Sequence, residues 1–242
     1  MRLNCDLGES YGRWQLDSEQ RAMPLVDQAN IACGFHAGDP LSIVQTLKLA
    51  KQYDVEVGAH PSYPDLAGFG RRSMTLDSDE LIAVIQYQIA ALDGLAQSQG
   101  INITYVKPHG ALYNDMMKNR DILRTVMQAV ADYHKPLKLM LQAGSDNSDI
   151  NALAQHHRLT CYFEAFADRR YTEQGFLTPR GQAGAVLNAE QTLEQVTLLN
   201  QTGEVITDSG KRLKLSADTL CVHGDNPHAI AQLAQIKQLV SK

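Results

Sequence analysis

The sequence predicts an α/β protein: a parallel sheet closed into a seven-stranded barrel of the TIM-barrel type. Three observations carry this. Seven short apolar runs recur along the chain, separated by longer stretches of helical periodicity, the alternation of a parallel sheet covered by helices. Most runs are too apolar for strands with one wet face, as strands buried on both faces require. Nearly every run also ends in acid, base or cationic side chains. In a barrel those strand ends converge on one face, where barrel active sites lie. In an open doubly wound sheet they spread along an edge, with a site only at the switch point. Convergence from all seven favours the barrel. The 242 residues are near the ~250 of such a fold, and no low-complexity linker divides them, so 1–242 reads as one domain.

The strands expected are "RLNCDL" (2–7), "QANIAC" (28–33), "VEVGA" (55–59), "ITYVK" (103–107), "LKLML" (137–141), "TCYFEA" (160–165) and "TLCVH" (219–223). Asp6 and Glu9 end the first, His36 and Asp39 the second, and His60 the third. Lys107 and His109 end the fourth, and Gln142 the fifth. Glu164, Asp168 and Arg169 end the sixth, and His223 and Asp225 the seventh. The first long helix starts at Asp39 with Pro40 next, a cap followed by proline in the first turn. The second opens on the acidic "LDSDEL" and stops at Gly100, a C-cap signal. "NDMMKNRDILRTVMQAVADYHK" (114–135) reads as one helix. "SDNSDINALAQHHR", "AEQTLEQVTLLNQ" and "DNPHAIAQLAQIKQLV" follow, the last capped by Asp225. "GEVITDSGKRLKL" (203–215) reads as a small β-hairpin turning at Asp208–Ser209–Gly210.

Composition excludes several classes. Net charge is −5, with no lysine/arginine tract, so nucleic acid and anionic membrane are poor partners. No run of 18 apolar residues offers a membrane span, and "MRLNCDLGES" lacks the apolar core of a signal peptide. Cys5, Cys33, Cys161 and Cys221 form no CxxC pair, which leaves a zinc ribbon unsupported. Their core-like positions read as buried hydrophobes rather than nucleophiles. A cytoplasmic protein with reduced thiols is expected.

The strand ends supply a catalytic inventory. Asp6, His36, His60, His109 and Glu164 are acid or base candidates. Glu9, Arg72, Lys107, Asp168, Arg169 and His223 are candidates for holding a substrate; Arg71 and Arg180 are further anion-binding candidates. A lysine buried at a strand end needs a carboxylate or ligand partner. Gly34, Gly38, Gly58 and Gly110 flank the histidines and permit close backbone approach. Asp6, His36 and His60 also form a carboxylate-plus-two-histidine set suited to a divalent metal.

"NCDLGESYG" (4–12), "NIACGFHAGDP" (30–40), "GAHPSYPDLAGFGRR" (58–72), "VKPHGALYN" (106–114), "EAFADRRY" (164–171) and "CVHGDNPHA" (221–229) together resemble the LamB/YcsF family, in order and over nearly the whole chain. The resemblance implies an irregular seven-stranded (β/α) barrel, similar to polysaccharide deacetylases and related glycosidases. It also implies ATP-dependent opening of 5-oxoproline (pyroglutamate) to L-glutamate, carried out with B and C subunits. An amide is a poor electrophile; phosphorylation of its carbonyl oxygen by ATP activates it. Water attack then needs a base, and developing charge needs cationic or N–H donors. No GxxxxGK(S/T) loop is present, and "GFG" (68–70) lacks the third glycine of a nucleotide fingerprint. ATP use is therefore expected to depend on the partner subunits. Two other readings stay open: a metal-dependent deacetylase or glycosidase on the same barrel, and a regulatory subunit that binds a small molecule. Homo-oligomers are compatible with either.

Overall fold

The computed structural model describes residues 1–241. Six parallel strands run in chain order round the barrel: β1 (Arg2–Leu7), β2 (Gln28–Ala32), β3 (Glu56–His60), β4 (Ile103–Val106), β5 (Lys138–Gln142) and β6 (Cys161–Phe166). β7 (Glu204–Ile206) and β8 (Arg212–Lys214) form a separate antiparallel hairpin, the one expected at 203–215. β9 (Thr219–His223) then closes the barrel between β6 and β1, pairing Glu164 with Thr219 on one side and Asp6 with His223 on the other. All seven expected barrel strands are present.

The strands turn out to carry two different faces. Leu3, Leu7, Ile31, Val57, Ala59, Leu139 and Leu141 belong to the apolar core shared with the helices. The alternate positions carry polar side chains that bond to one another inside the barrel. Asn4 donates to Thr219 at 3.1 Å, Asn30 to Asn4 at 2.8 Å, and Tyr105 to Asn30 at 2.7 Å. Strand side chains alternate in direction, so an apolar outer face and a polar lumen coexist in runs that look apolar throughout. Gly58 serves this lumen: the Tyr105 ring lies where its Cβ would be, beside a shift in the β3–β4 register.

The helices are α1 (Ser18–Ala22), α2 (Pro40–Gln52), α3 (Ser78–Ser98), α4 (Gly110–Lys118), α5 (Arg120–Ala131), α6 (Ser148–His156), α7 (Ala189–Thr202) and α8 (Pro227–Val240). Asp39 caps α2, accepting from the Leu41 and Ser42 amides at 2.9 Å. The single helix expected over 114–135 is two. Asn119 leaves the helical region (φ −123°, ψ 114°), and its side chain accepts from the Asp121 and Ile122 amides to start α5. α4 starts earlier than expected, at Gly110. The cap of α8 is Asn226, which accepts from the His228 and Ala229 amides; Asp225, the expected cap, pairs with Arg71 instead. Among the described residues no helix is long and apolar enough to cross a membrane.

Candidate functional site

A cavity of about 310 Å³ opens at the C-terminal ends of the strands, at the small end of the range for ligand pockets. Its floor is an ion cluster. The Lys107 ammonium lies 2.8 Å from Asp6 Oδ1, 3.0 Å from Glu164 Oε2 and 3.1 Å from Cys221 Sγ. All four groups are buried. Asn30 donates to the same Asp6 oxygen at 2.8 Å. Burial alone would raise the Asp6 pKa, but the Lys107 ammonium and then His60 hold it well below the usual carboxylate range. Burial would likewise lower Lys107, yet Asp6, Cys221 and Glu164 hold it well above its ordinary value. The pair is charged, and a carboxylate so stabilised is a weak base. Burial pushes the Cys221 thiol well up, so Cys221 is a neutral acceptor rather than a nucleophile.

Behind one wall lies a histidine cluster. His60 Nε2 is 3.5 Å from Asp6 Oδ2 and 3.0 Å from His109 Nδ1. His36 stacks on His109, with centroids 3.8 Å apart and planes 4° from parallel. Glu9 Oε1 lies 3.2 Å from His36 Nε2 and 3.6 Å from His109 Nδ1. Burial, then the Asp6 and Asp225 carboxylates, push Glu9 well above the usual range. Burial is the main cause depressing His36 and His109, aided by neighbouring imidazoles. The turn that brings His36 here needs Gly38: at φ +83° its Cβ would lie 2.8 Å from the Gly8 carbonyl.

A second polar pair, His223 with Asp168, stands beside Asp6. His223 Nδ1 lies 2.7 Å from Asp168 Oδ1, and Asn226 donates to Asp168 Oδ2 at 2.9 Å. Burial would raise Asp168, but His223 and Asn226, with Arg180, hold it below its ordinary value. An ionised Asp168 accepts from Nδ1–H and so fixes the orientation of the His223 ring, whose other nitrogen is the acceptor in the neutral imidazole. The His223 ring lies against Phe166, centroids 5.5 Å apart, and lines the cavity. Arg71 and Arg180 line the rim. Both face Asp225, Arg71 in a direct ion pair and Arg180 at 4.0 Å.

The structure therefore sorts the sequence candidates. Asp6, His60, Lys107, His109, Arg169 and His223 line the cavity. Asp168 stands directly behind His223, Glu164 beneath Lys107, and Glu9 and His36 behind His109. Arg72 is different: its guanidinium pairs with Asp65, its side chain is 67% exposed, and it is not among the cavity residues. The cation on this loop that faces the cavity is its neighbour Arg71. Arg169 donates to the Thr178 and Ala185 carbonyls at 2.7 and 3.3 Å and so holds the loop that carries Arg180. Burial, with the Arg180 charge nearby, lowers it to about 10. The metal set Asp6, His36 and His60 is not assembled as a set. Asp6 already faces an ammonium, and His36 turns its Nε2 to Glu9. Sequence reading missed Asn4, Asn30 and Tyr105, which fix the floor. The signal was present in the alternation of Asn4 with Asp6 along "RLNCDL".

A sequence model of the LamB/YcsF family matches residues 1–242. The chain is 50% identical over 239 residues to a Vibrio campbellii protein named as the A-type subunit of 5-oxoprolinase, covering 98% of this chain and 94% of that one. It is 49% identical over 236 residues to an A-type 5-oxoprolinase subunit of Pseudomonas aeruginosa, covering 97% and 94%. Among solved structures, the lactam utilization protein of Thermus thermophilus superposes with a TM-score of 0.88 at 35% identity, covering 100% of this chain and 97% of that one.

Proposed function

The chain belongs to the LamB/YcsF family, and from that premise we propose that it is the hydrolytic component of a 5-oxoprolinase, opening 5-oxoproline to L-glutamate. ATP and two partner subunits, B and C, supply the activated substrate. The observation that carries the reading is one cavity lined by an oriented imidazole, His223 on Asp168, and by the cations Lys107, Arg71 and Arg180. The names of the curated relatives supply the substrate.

The chemistry follows from these positions. Phosphorylation of the lactam carbonyl oxygen makes the ring carbon electrophilic. Water adds to that carbon, and the free nitrogen of His223 takes its proton. Asp168 fixes the ring and stabilises the imidazolium, the role such a carboxylate plays in other base–carboxylate pairs. The proton passes to the ring nitrogen as the C–N bond breaks. The resulting acyl phosphate is hydrolysed by a second water to glutamate and phosphate. Asp6 is held ionised by Lys107 and serves as a fixed negative wall beside the ammonium, not as the base. Arg71 and Arg180 bind the substrate carboxylate and the phosphoryl oxygens. ATP use and four cysteines outside any disulfide fit a cytoplasmic setting.

The test is an omission assay. The partner subunits are incubated with 5-oxoproline and ATP, with and without this chain, and glutamate and phosphate are measured. Glutamate is expected only when this chain is present. Equal glutamate formation without it would overturn the proposal.

A further inference from the structure

Two hydroxyls in the cavity lining are left unpaired by the fold. Tyr113 of α4 and Thr178 of the loop after β6 both line the cavity and are only 4% and 1% exposed. Neither hydroxyl has a hydrogen-bond partner among the described residues, and no other cavity-lining residue has a buried side-chain polar atom in that state. Buried polar groups are ordinarily paired, because an unpaired one loses its hydration for nothing in return. The surroundings hold both residues in place. The Thr178 amide donates to the Arg170 carbonyl at 2.9 Å, and its carbonyl accepts from Arg169 at 2.7 Å. Its backbone is satisfied, and Oγ1 alone is left over. The Tyr113 ring stands edge-on to Phe166, centroids 5.8 Å apart, and Phe166 also carries the stacked His223 ring. Burial pushes the Tyr113 hydroxyl well above its ordinary pKa, so it stays protonated. Glu164 is near enough for its charge to add to that shift, but the two groups are not aligned as a hydrogen bond.

We propose that the Tyr113 and Thr178 hydroxyls recognise the amide edge of the substrate ring, its N–H and its carbonyl. This rests on the 5-oxoprolinase reading and adds the groups that read the ring itself. Lys107, Arg71 and Arg180 are donors only, suited to the carboxylate and the phosphoryl oxygens. A lactam edge presents one donor and one acceptor side by side, and a hydroxyl both donates and accepts. A hydroxyl can therefore stay bonded to the ring nitrogen as it changes from an amide N–H to the free amine of glutamate. Each hydroxyl completes its hydrogen bonds only when the ring is bound. A site built this way rejects a ring of the same shape that lacks the amide, because its buried hydroxyls then stay unpaired.

The experiment measures rate and melting temperature together, which separates binding from folding. The full chain, as wild type, Tyr113→Phe, Thr178→Val or Thr178→Ser, is assembled with the partner subunits and given 5-oxoproline and ATP. Tyr113→Phe and Thr178→Val are each expected to lower kcat/KM for glutamate formation about 10–100-fold, the loss from leaving one side of a buried hydrogen bond unpaired. Their melting temperatures are expected at or above wild type, since each removes a buried polar atom that has no partner in the fold. Thr178→Ser keeps the hydroxyl and is expected to lose less than Thr178→Val. A wild-type kcat/KM in Tyr113→Phe or Thr178→Val would overturn the proposal for that residue, as would equal losses in the two Thr178 variants. A lowered melting temperature would overturn it too, by showing that the hydroxyl serves the fold. Glutamate formation that does not need this chain at all is a different result: it removes the 5-oxoprolinase reading, and this proposal with it.

Discussion

Replacing Lys107 with methionine removes the one cation on the cavity floor and keeps most of the side-chain volume. The ammonium lies 2.8 Å from Asp6 and 3.0 Å from Glu164, with every partner buried. Removing one member of a buried ion pair costs about 3–5 kcal/mol, because the remaining charge is left uncompensated. In a chain of this size each kcal/mol is ~2–4 °C of melting temperature, so Lys107→Met is expected to melt roughly 6–20 °C below wild type at pH 8. The pH dependence gives the sign. In wild type the Asp6 pKa is depressed, so its contribution to stability is present above its unfolded value of ~3.9 and lost as pH falls through the folded value. Without Lys107 the buried carboxyl is favoured neutral, and stability falls as pH rises past ~3.9. The variant's deficit is therefore smallest near pH 4 and largest at pH 8, and Asp6→Asn in the same chain restores part of it. Thermal melts of the three proteins across this range are the assay. A deficit under about 3 °C at pH 8, or one that does not change between pH 4.5 and 8, would refute the buried ion cluster.

Asp168→Asn is expected to lower kcat of the assembled enzyme by ~10²–10⁴ with little change in KM, since it disorients a base; steady-state kinetics check this. The same variant flattens the acid limb of the melting curve below about pH 4, because the depressed Asp168 carboxylate stabilises the fold only above its unfolded pKa. Arg180→Ala is expected to raise KM for 5-oxoproline roughly 10–100-fold, the loss of a hydrogen bond to a charged group. Arg72→Ala, which removes an exposed guanidinium that pairs with the buried Asp65 away from the cavity, leaves KM and kcat unchanged. Gly58→Ala drives a methyl into the Tyr105 ring; overpacking of about 1–3 kcal/mol should appear in denaturant titration.

The barrel was readable because its signals are local. Seven apolar runs, their helical spacers and the polar strand ends are each contained in a few consecutive residues. The errors arose where two local signals competed. Asn119 sits inside a continuous apolar periodicity, so the period hid a capping residue that ends one helix and starts the next. Asp225 and Asn226 are both capping types, and the choice between them was made by Arg71, a residue 154 positions away. Arg71 and Arg72 are adjacent, and only the turn of the loop decides which faces the cavity. The depth of each side chain was not readable at all. His36, His60 and His109 look alike as strand-end histidines, yet His36 is sealed behind the other two.

If this chain's own cavity opens the ring, His223 as the base must control the rate. The most direct measurement is the rate of ATP-dependent glutamate formation from 5-oxoproline by the partner subunits assembled with His223→Gln, after melting curves confirm a folded chain. A fall of ~10²-fold or more relative to wild type is the predicted result; a wild-type rate would show that His223 is not the base.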